Sequence, residues 1–561
     1  MLKKWWQEAV VYEIYCKSFC DSDGDGLGDL KGVMSKLPVL KELGINCIWF
    51  TPIYASPQVD NGYDVADYRN INPDYGTLED FKQLLDTAHS MGIRVIMDMV
   101  LNHSSDEHYW FQESRKSKDN PYRNYYIWQP PKADGSPPNN WGSYFRENDG
   151  SAWEFDETTG EYYLHQYAIK MPDLNWEYEP LRQEIYEMLR WWLDMGVDGF
   201  RLDVFTRLKK AAGFPDTTKK PDPELDRNGF VVDRTMCTCQ EGIREILQGI
   251  HDNVFAHYDC FTVGEGSGIT SKNAADYIGQ SQRQVDSVHH FQLSSRKRGA
   301  FTPAEFRKIQ TEWAEVMKHN AWPTQFLSNH DQPRQVSHHG NDTTYRVESA
   351  KLLAVLAHTT PGIPFLFQGE EIGMTNVAYD TIDDYNCRYT VGDYWSMIQN
   401  GISSEDALAA LRDRSRDNAR TPYQWDGSEN AGFTTGKPWI KVNPRSKEIN
   451  LEADRASENS IFAFYQKLIG LRKTCPAIID GDLTFLLEDH DQVIMYLRRC
   501  ARQTLLVIAN QSNLTLPVQI PDELKKNNWV RILSNRPDTA PSLDGRSEWL
   551  PWEAEIYTLE A

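Results

Sequence analysis

Seven polar residues stand at or just beyond the ends of short apolar runs: Asp98 and His103, Arg201 and Asp203, Glu265, and His330 with Asp331. If those runs are strands that finish on one face, carboxylates, two histidines and an arginine converge there. Cleavage of a glycosidic bond asks for this set. One carboxylate attacks or stabilises an oxocarbenium-like centre, and one acid protonates the leaving oxygen. A neighbouring arginine keeps the nucleophile ionised, while crowding by other carboxylates raises the acid's pKa so that it carries a proton. Taken singly, each Asp or Glu reads as a surface or capping residue. Their joint placement at strand ends carries the argument.

A repeated local pattern supplies that placement. Leu181, Ile185, Met188, Leu189 and Trp192 fall on one helical face, Met195-Gly196 stops the helix, and an apolar run ends at Asp203. Leu43-Gly44 leads likewise into the run 47–50, and Met91-Gly92 into 94–100. Helix, glycine stop, buried strand and polar end are the elements of a parallel β/α barrel. Eight strand candidates follow: 10–15, 47–50, 94–100, 199–204, 260–263, 287–291, 325–328 and 364–367. Eight strands close a (β/α)8 TIM barrel, whose strand C-termini share the face where sites of this fold lie.

Two departures from a bare barrel stand out. After the third strand comes an insertion of roughly seventy residues, too long for a βα loop; it carries Tyr109, Trp110, Trp128, Trp141, Tyr144, Phe145 and Trp153. Beyond about residue 480 the pattern becomes short alternating runs, at 493–497, 504–509, 514–520, 529–533 and 548–559, which predict an antiparallel β domain. The expected division is a barrel over 1–104 and 175–480, an inserted domain over 105–174, and a sandwich-like C-terminal domain over 481–561.

The chain has 561 residues and a formal net charge of -22, which argues against nucleic acid as a partner because phosphate neutralisation needs a basic surface. Its 18 Trp, 27 Tyr and 22 Phe suit a large core and a pocket that stacks sugar rings. The first apolar residues are broken by Gln7, Glu8 and Glu13, which does not read as a targeting segment, and no apolar stretch reaches membrane-spanning length. The nine Cys lack metal spacing, Cys237-Thr238-Cys239 being too tight for the usual zinc pair. The expectation is a cytoplasmic protein with reduced thiols, no organic cofactor and no membrane partner, acting as a monomer.

The motifs also carry a resemblance. The segments 98–103, 199–204, 262–265 and 326–331 resemble the four signature regions of glycoside hydrolase family 13, the α-amylase family, and 171–176 resembles its additional region in the inserted domain. The likeness runs from Trp5-Trp6 through 415–422 to 432–439, and is greatest to the family's oligo-1,6-glucosidase and dextran glucosidase group. It implies a retaining double displacement with Asp203 as nucleophile, Glu265 as acid/base and Asp331 as stabiliser of the transition state. It also implies that Asp60, Tyr63, His103, Arg201, His330 and Arg416 hold the terminal glucose of a small oligosaccharide, with Phe145 lining the pocket.

Asp21-Ser-Asp23-Gly-Asp25-Gly-Leu27-Gly-Asp29 places alternating carboxylates over a glycine-rich turn, as in the first half of an EF-hand loop. The closing Glu is absent, because Gly32 stands there. A shell completed by Asp29 and the Leu27 carbonyl is the expectation, and the resemblance implies a structural Ca2+ at Asp21, Asp23, Asp25, Leu27 and Asp29.

For linkage, the resemblance associates Val204, directly after the nucleophile, with α-1,6 cleavage of isomaltose and short isomalto-oligosaccharides from the non-reducing end. Two departures bear on this. Met171 replaces a Gln usual in the group, and Ser294-Ser-Arg296-Lys297-Arg298 replaces an acidic segment. The basic cluster keeps trehalose-6-phosphate hydrolysis and sucrose isomerisation open beside a broad α-1,4/α-1,6-glucosidase; a non-catalytic transporter subunit would lack the carboxylates and carry an anchor.

Overall fold

The computed structural model describes residues 3–279, 284–294, 301–536 and 538–560. Eight parallel strands form a closed barrel: β1 (Val11–Ile14), β2 (Cys47–Phe50), β3 (Arg94–Val100), β4 (Gly199–Asp203), β5 (Phe261–Glu265), β6 (Ser287–His289), β7 (Trp322–Gln325) and β8 (Ile363–Phe367). Each pairs with its sequence neighbours, and β8 closes on β1 through Val11↔Phe365. The TIM barrel and the C-terminal antiparallel sheet are therefore present as read from the sequence.

One strand lies elsewhere than expected. The seventh is Trp322–Gln325 rather than 325–328. Pro323 breaks the apolar run and reads as a strand breaker, yet it pairs with Val288 inside the barrel wall. The segment 326–331 is thus free to turn over the barrel mouth.

The helices between strands are α1 (Leu30–Leu43), α2 (Leu78–Ser90), α3 (Glu179–Met195), α4 (Ile243–Asn253), α5 (Pro303–Met317), α6 (Arg346–Thr359) and α7 (Ile461–Thr474). Their ends follow local chemistry. Asp29 caps α1 by accepting from the Gly32 N–H, and Thr77 and Asp80 form a capping box on α2. Gly196 ends α3 at φ 110°, and α3 buries Leu181, Ile185, Met188, Leu189 and Trp192. Gly199, at φ 149°, starts β4 where a Cβ would stand 1.9 Å from the Phe261 carbonyl oxygen. Close packing of β4 on β5 demands glycine there.

Inside the barrel, Val11, Cys47, Trp49, Ile96, Phe261, Val263, Ile363 and Phe365 form one apolar column with Trp6 and Trp322. Trp6 stacks on Phe261 at 5.3 Å. The interior is filled, so the strand C-termini are left to carry the chemistry.

The insertion after β3 holds the helix Tyr109–Ser114 and a three-stranded antiparallel sheet of Trp128–Gln129, Trp153–Asp156 and Glu161–Leu164. It does not stand alone. The excursion after β4 joins it, with Trp141 Nε1 donating to the Pro215 carbonyl at 2.8 Å and the Asn140 side chain bonding Thr217. At the C-terminus, β9 (Asp482–Leu486), β10 (Val493–Cys500), β11 (Gln503–Asn510), β12 (Val530–Ser534) and β13 (Ala554–Glu560) form a sheet in the order β9-β10-β11-β13-β12. The expected strand 514–520 shrinks to Leu516–Pro517, paired with Glu548–Trp549. The run 548–559 divides at Pro551-Trp552, where Trp552 has φ 54°.

Candidate active site

Asp98 and Arg201 are register partners on β3 and β4, so both side chains leave the same side of the wall. Arg201 Nη1 donates to Asp98 Oδ1 at 2.9 Å and to Asp203 Oδ1 at 2.8 Å, while Nη2 lies 2.9 Å from Glu265 Oε2. At 2% exposure, Arg201 is itself buried and holds three carboxylates together. Burial pushes the Asp203 carboxyl well above the usual range; the Glu265 carboxylate pushes the same way, and Arg201 opposes both. Asp203 Oδ1 and Glu265 Oε2 thus meet the two ends of one guanidinium.

Val204 does not continue β4. It sits at φ 35°, ψ 39°, a left-handed conformation that a β-branched residue rarely adopts, and a turn of 3-10 helix (Phe205–Arg207) follows it. The reward of that geometry is a hydrogen bond: the Val204 N–H points at Glu265 Oε2, 3.0 Å away.

On the other side of the mouth the charge ratio is reversed. Asp331 receives Arg420 Nη2 on Oδ1 at 2.7 Å and Arg416 Nη2 near Oδ2 at 3.1 Å. Burial would raise this carboxyl, but the guanidiniums of Arg416 and Arg420 outweigh it and hold it well below the usual carboxylate range. Arg416 also lies 3.7 Å from Asp60, whose burial lifts its carboxyl to about 6 against that cation. The Tyr63 ring stacks on His330 at 5.4 Å and 10°. Asp60, Tyr63, His330, Asp331 and Arg416 therefore share one rim.

The loop after β3 and the insertion it leads into supply a third side. His103 Nε2 lies 3.1 Å from the Tyr63 carbonyl oxygen, and burial lowers its pKa to about 4, which keeps the ring neutral. Phe145 is buried, and the Arg416 guanidinium sits 5.9 Å over its ring and 5.7 Å over that of Tyr389. The geometry thus brings together Asp203, Glu265, Asp331, Asp60, Tyr63, His103, Phe145, Arg201, Val204, His330 and Arg416. Ser294 is described and buried, whereas Arg296, Lys297 and Arg298 lie outside the described residues.

Sequence reading passed over three residues here. Arg420 grips Asp331, and the sign of it was a second arginine four residues after Arg416. Glu13, a charge inside the apolar run of β1, meets His330. Arg207 bonds the Tyr167 hydroxyl at 2.6 Å and faces the Tyr144 ring; no periodicity marks it.

In the loop before α1, Asp21, Asp23 and Asp29 bring carboxylate oxygens within 4.8 Å of one another. Asp25 does not join them; it accepts the Leu27 N–H at 2.8 Å. Asp21 is also fixed by the protein, accepting from the N–H groups of Gly24 and Gly26 and from the Thr434 hydroxyl. Three hard oxygen donors on a loop already folded around them fit a hard cation.

A model of the alpha-amylase catalytic domain matches residues 13–481. The chain belongs to the alpha-amylase family. It is 45% identical over 569 residues to an oligo-1,6-glucosidase of Parageobacillus thermoglucosidasius, with 100% of both chains covered. Among solved structures it resembles a trehalose-6-phosphate hydrolase of Bacillus licheniformis (TM-score 0.90, 42% identity, 100% of both chains). It also resembles a trehalulose synthase of Pseudomonas mesoacidophila MX-45 (TM-score 0.92, 40% identity, 100% of both chains). Family and site together make this chain a glycoside hydrolase. Among the described residues, no helix is long and apolar enough to cross a membrane.

Proposed function

We propose that the chain releases glucose from the non-reducing end of isomaltose and short isomalto-oligosaccharides by cleaving α-1,6 bonds with retention of configuration. The observation that carries this reading is the placement of Asp203 and Glu265 on a single buried guanidinium. An inverting enzyme spaces its carboxyls roughly 6.5–9.5 Å apart to seat a water between them. Two carboxyls that share one guanidinium favour the closer spacing of roughly 5–5.5 Å, at which one of them is the nucleophile.

In the proposed sequence, Asp203 Oδ attacks the anomeric carbon while Glu265 delivers a proton to the glycosidic oxygen, and the aglycone leaves. Glu265, now a carboxylate oriented by the Val204 N–H and Arg201, takes a proton from water. That water opens the glycosyl ester and returns Asp203 to its first state. Asp331, held ionised by its two arginines, accepts sugar hydroxyls and offsets positive charge at the ring. His103 and His330, both neutral, act as hydrogen-bonding groups.

The α-1,6 linkage rests on Val204 and on the relative named as an oligo-1,6-glucosidase. A panel of isomaltose, isomaltotriose, panose, maltose, sucrose, trehalose and trehalose-6-phosphate, with products separated by chromatography, tests it. Isomaltose and isomaltotriose should be turned over fastest. Preference for trehalose-6-phosphate, or isomerisation of sucrose, would replace this substrate by that of a neighbour.

Asp21, Asp23 and Asp29 would hold a structural Ca2+, which supplies positive charge to the loop and takes no part in bond cleavage. Chelator should lower the melting temperature of the native protein and leave an Asp21→Ala/Asp23→Ala variant unmoved, because a ligand of the native state alone stabilises by mass action. Equal melting with and without chelator would reduce the loop to a hydrogen-bonded acidic turn. Nine free cysteines accord with a reducing, cytoplasmic setting.

A further inference from the structure

Beneath the pocket rim, four side chains form one chain of short contacts. Glu13 Oε1 lies 2.5 Å from His330 Nδ1, His330 Nε2 lies 2.6 Å from the Tyr63 hydroxyl, and that hydroxyl lies 2.9 Å from Asp98 Oδ2. Asp98 continues through Arg201 to Asp203 and Glu265. Glu13, Tyr63, His330 and Asp98 are all buried.

Three hydrogen bonds in series need three hydrogens. Tyr63 brings one and a neutral imidazole brings one. With both carboxylates ionised the chain is one hydrogen short, and two lone pairs would face each other across one contact. The missing proton therefore sits on Glu13, on Asp98, or on the imidazole as its second ring hydrogen. Arg201 touches both oxygens of Asp98, at 2.9 and 3.1 Å, and favours its ionised form. Among the described residues, the only ion-pair partner of Glu13 is His330 itself.

We infer that Glu13 is a positioning residue for the proposed glycosidase reaction: a proton held between its carboxyl and His330 Nδ1 keeps a hydrogen on His330 Nε2, so that Tyr63 turns its only hydrogen toward Asp98. All donors then run one way, from Glu13 to Asp98. Asp98 stays a full acceptor for Arg201, which in turn holds Asp203 and Glu265. Burial, the largest influence on each, raises Glu13 well above the carboxylate range and lowers His330 to about 3, which agrees with a proton on the Glu13 side. The charged groups facing this pair are Arg201, Asp98, Asp331, Arg416 and Arg420.

Glutamine cannot replace this acid. Glu13 Oε1 meets both His330 Nδ1 and the His330 backbone N–H, the latter at 3.1 Å. A carboxylic O–H donates to the first and accepts from the second, whereas an amide oxygen only accepts and an amide nitrogen only donates. In Glu13→Gln the oxygen should take both N–H groups, moving the ring hydrogen to Nδ1 and stripping Nε2. Tyr63 would then turn toward His330 and leave Asp98.

The inference builds on the proposed reaction, but its decisive reading needs no substrate. In protein labelled with 15N-histidine, with the His330 signals identified by their loss in His330→Asn, the wild-type ring should carry hydrogen on Nε2. In Glu13→Gln it should carry hydrogen on Nδ1 only. Isomaltose kcat/KM should fall by at least about tenfold, the scale of one miswired buried hydrogen bond, and adding Tyr63→Phe should cost far less than it does in the wild type. A bare Nε2 in the wild type overturns the inference whatever the substrate is. So does a Glu13→Gln enzyme with an unchanged ring and full activity, the result expected if Glu13 were an ordinary carboxylate acceptor.

Discussion

Two sides of one pocket treat carboxylates in opposite ways. At the ends of β3, β4 and β5, three carboxylates share the single guanidinium of Arg201. Across the mouth, Asp331 alone has two, from Arg416 and Arg420. Burial is common to both, yet Asp203 is driven up and Asp331 is held down. The number of cations on each carboxyl, not depth alone, separates Asp331 from Asp203; Asp60, which has only a share of Arg416 at 3.7 Å, is raised to about 6. That division suits the reaction: the proton that cleavage consumes sits on the crowded side, and the permanent negative charge sits where positive charge develops.

Removing either member of the crowded pair should break the contrast most severely. Asp203→Asn and Glu265→Gln remove the attacking and proton-donating groups, and turnover should drop by about 10⁴-fold or more, the scale for groups of a covalent mechanism. Circular dichroism and melting should show an intact fold. On the opposite side, Asp331→Asn keeps the shape and removes the charge. Its kcat should fall by about 10²–10³-fold, as for one preorganised electrostatic contact. A loss confined to KM would show that Asp331 binds without stabilising the transition state.

The smallest effect concerns the wall beside the pair. Val204→Ala removes two methyl carbons next to Asp203, and discrimination by a methylene or so is worth roughly 10–200-fold. Maltose hydrolysis relative to isomaltose should rise within that range. An unchanged ratio of the two kcat/KM values would move linkage choice to other residues. Because the left-handed backbone at Val204 directs its N–H to Glu265, Val204→Gly offers a control that keeps the turn and removes the wall.

Much of this was legible in the chain. Gly44, Gly92 and Gly196 mark helix stops, and apolar runs follow them, so β2 and β3 fall where the residues put them. The catalytic carboxylates stand at the ends of such runs. What stayed hidden has physical causes. Pro323 disguised β7 because a proline argues against a strand, although this one pairs in the wall. Valine favours extended backbone, so nothing in the residue type announced a positive φ at 204. The excursion after β4 lacks periodicity, and its attachment to the insertion is made by single side chains such as Trp141. Glu13 was visible as a charge within β1, but its partner lies 317 residues away. Asp60 and Tyr63 read only as part of a turn; their place came from the resemblance and then from the stacking on His330.

The central claim is that Asp203 and Glu265, bound to one arginine, work by double displacement. Proton NMR of isomaltose hydrolysis, followed from the first seconds, reads this directly from the anomeric signals of the glucose released. The account predicts that α-glucose appears first and that β-glucose grows only at the rate of mutarotation. Initial release of β-glucose would contradict it.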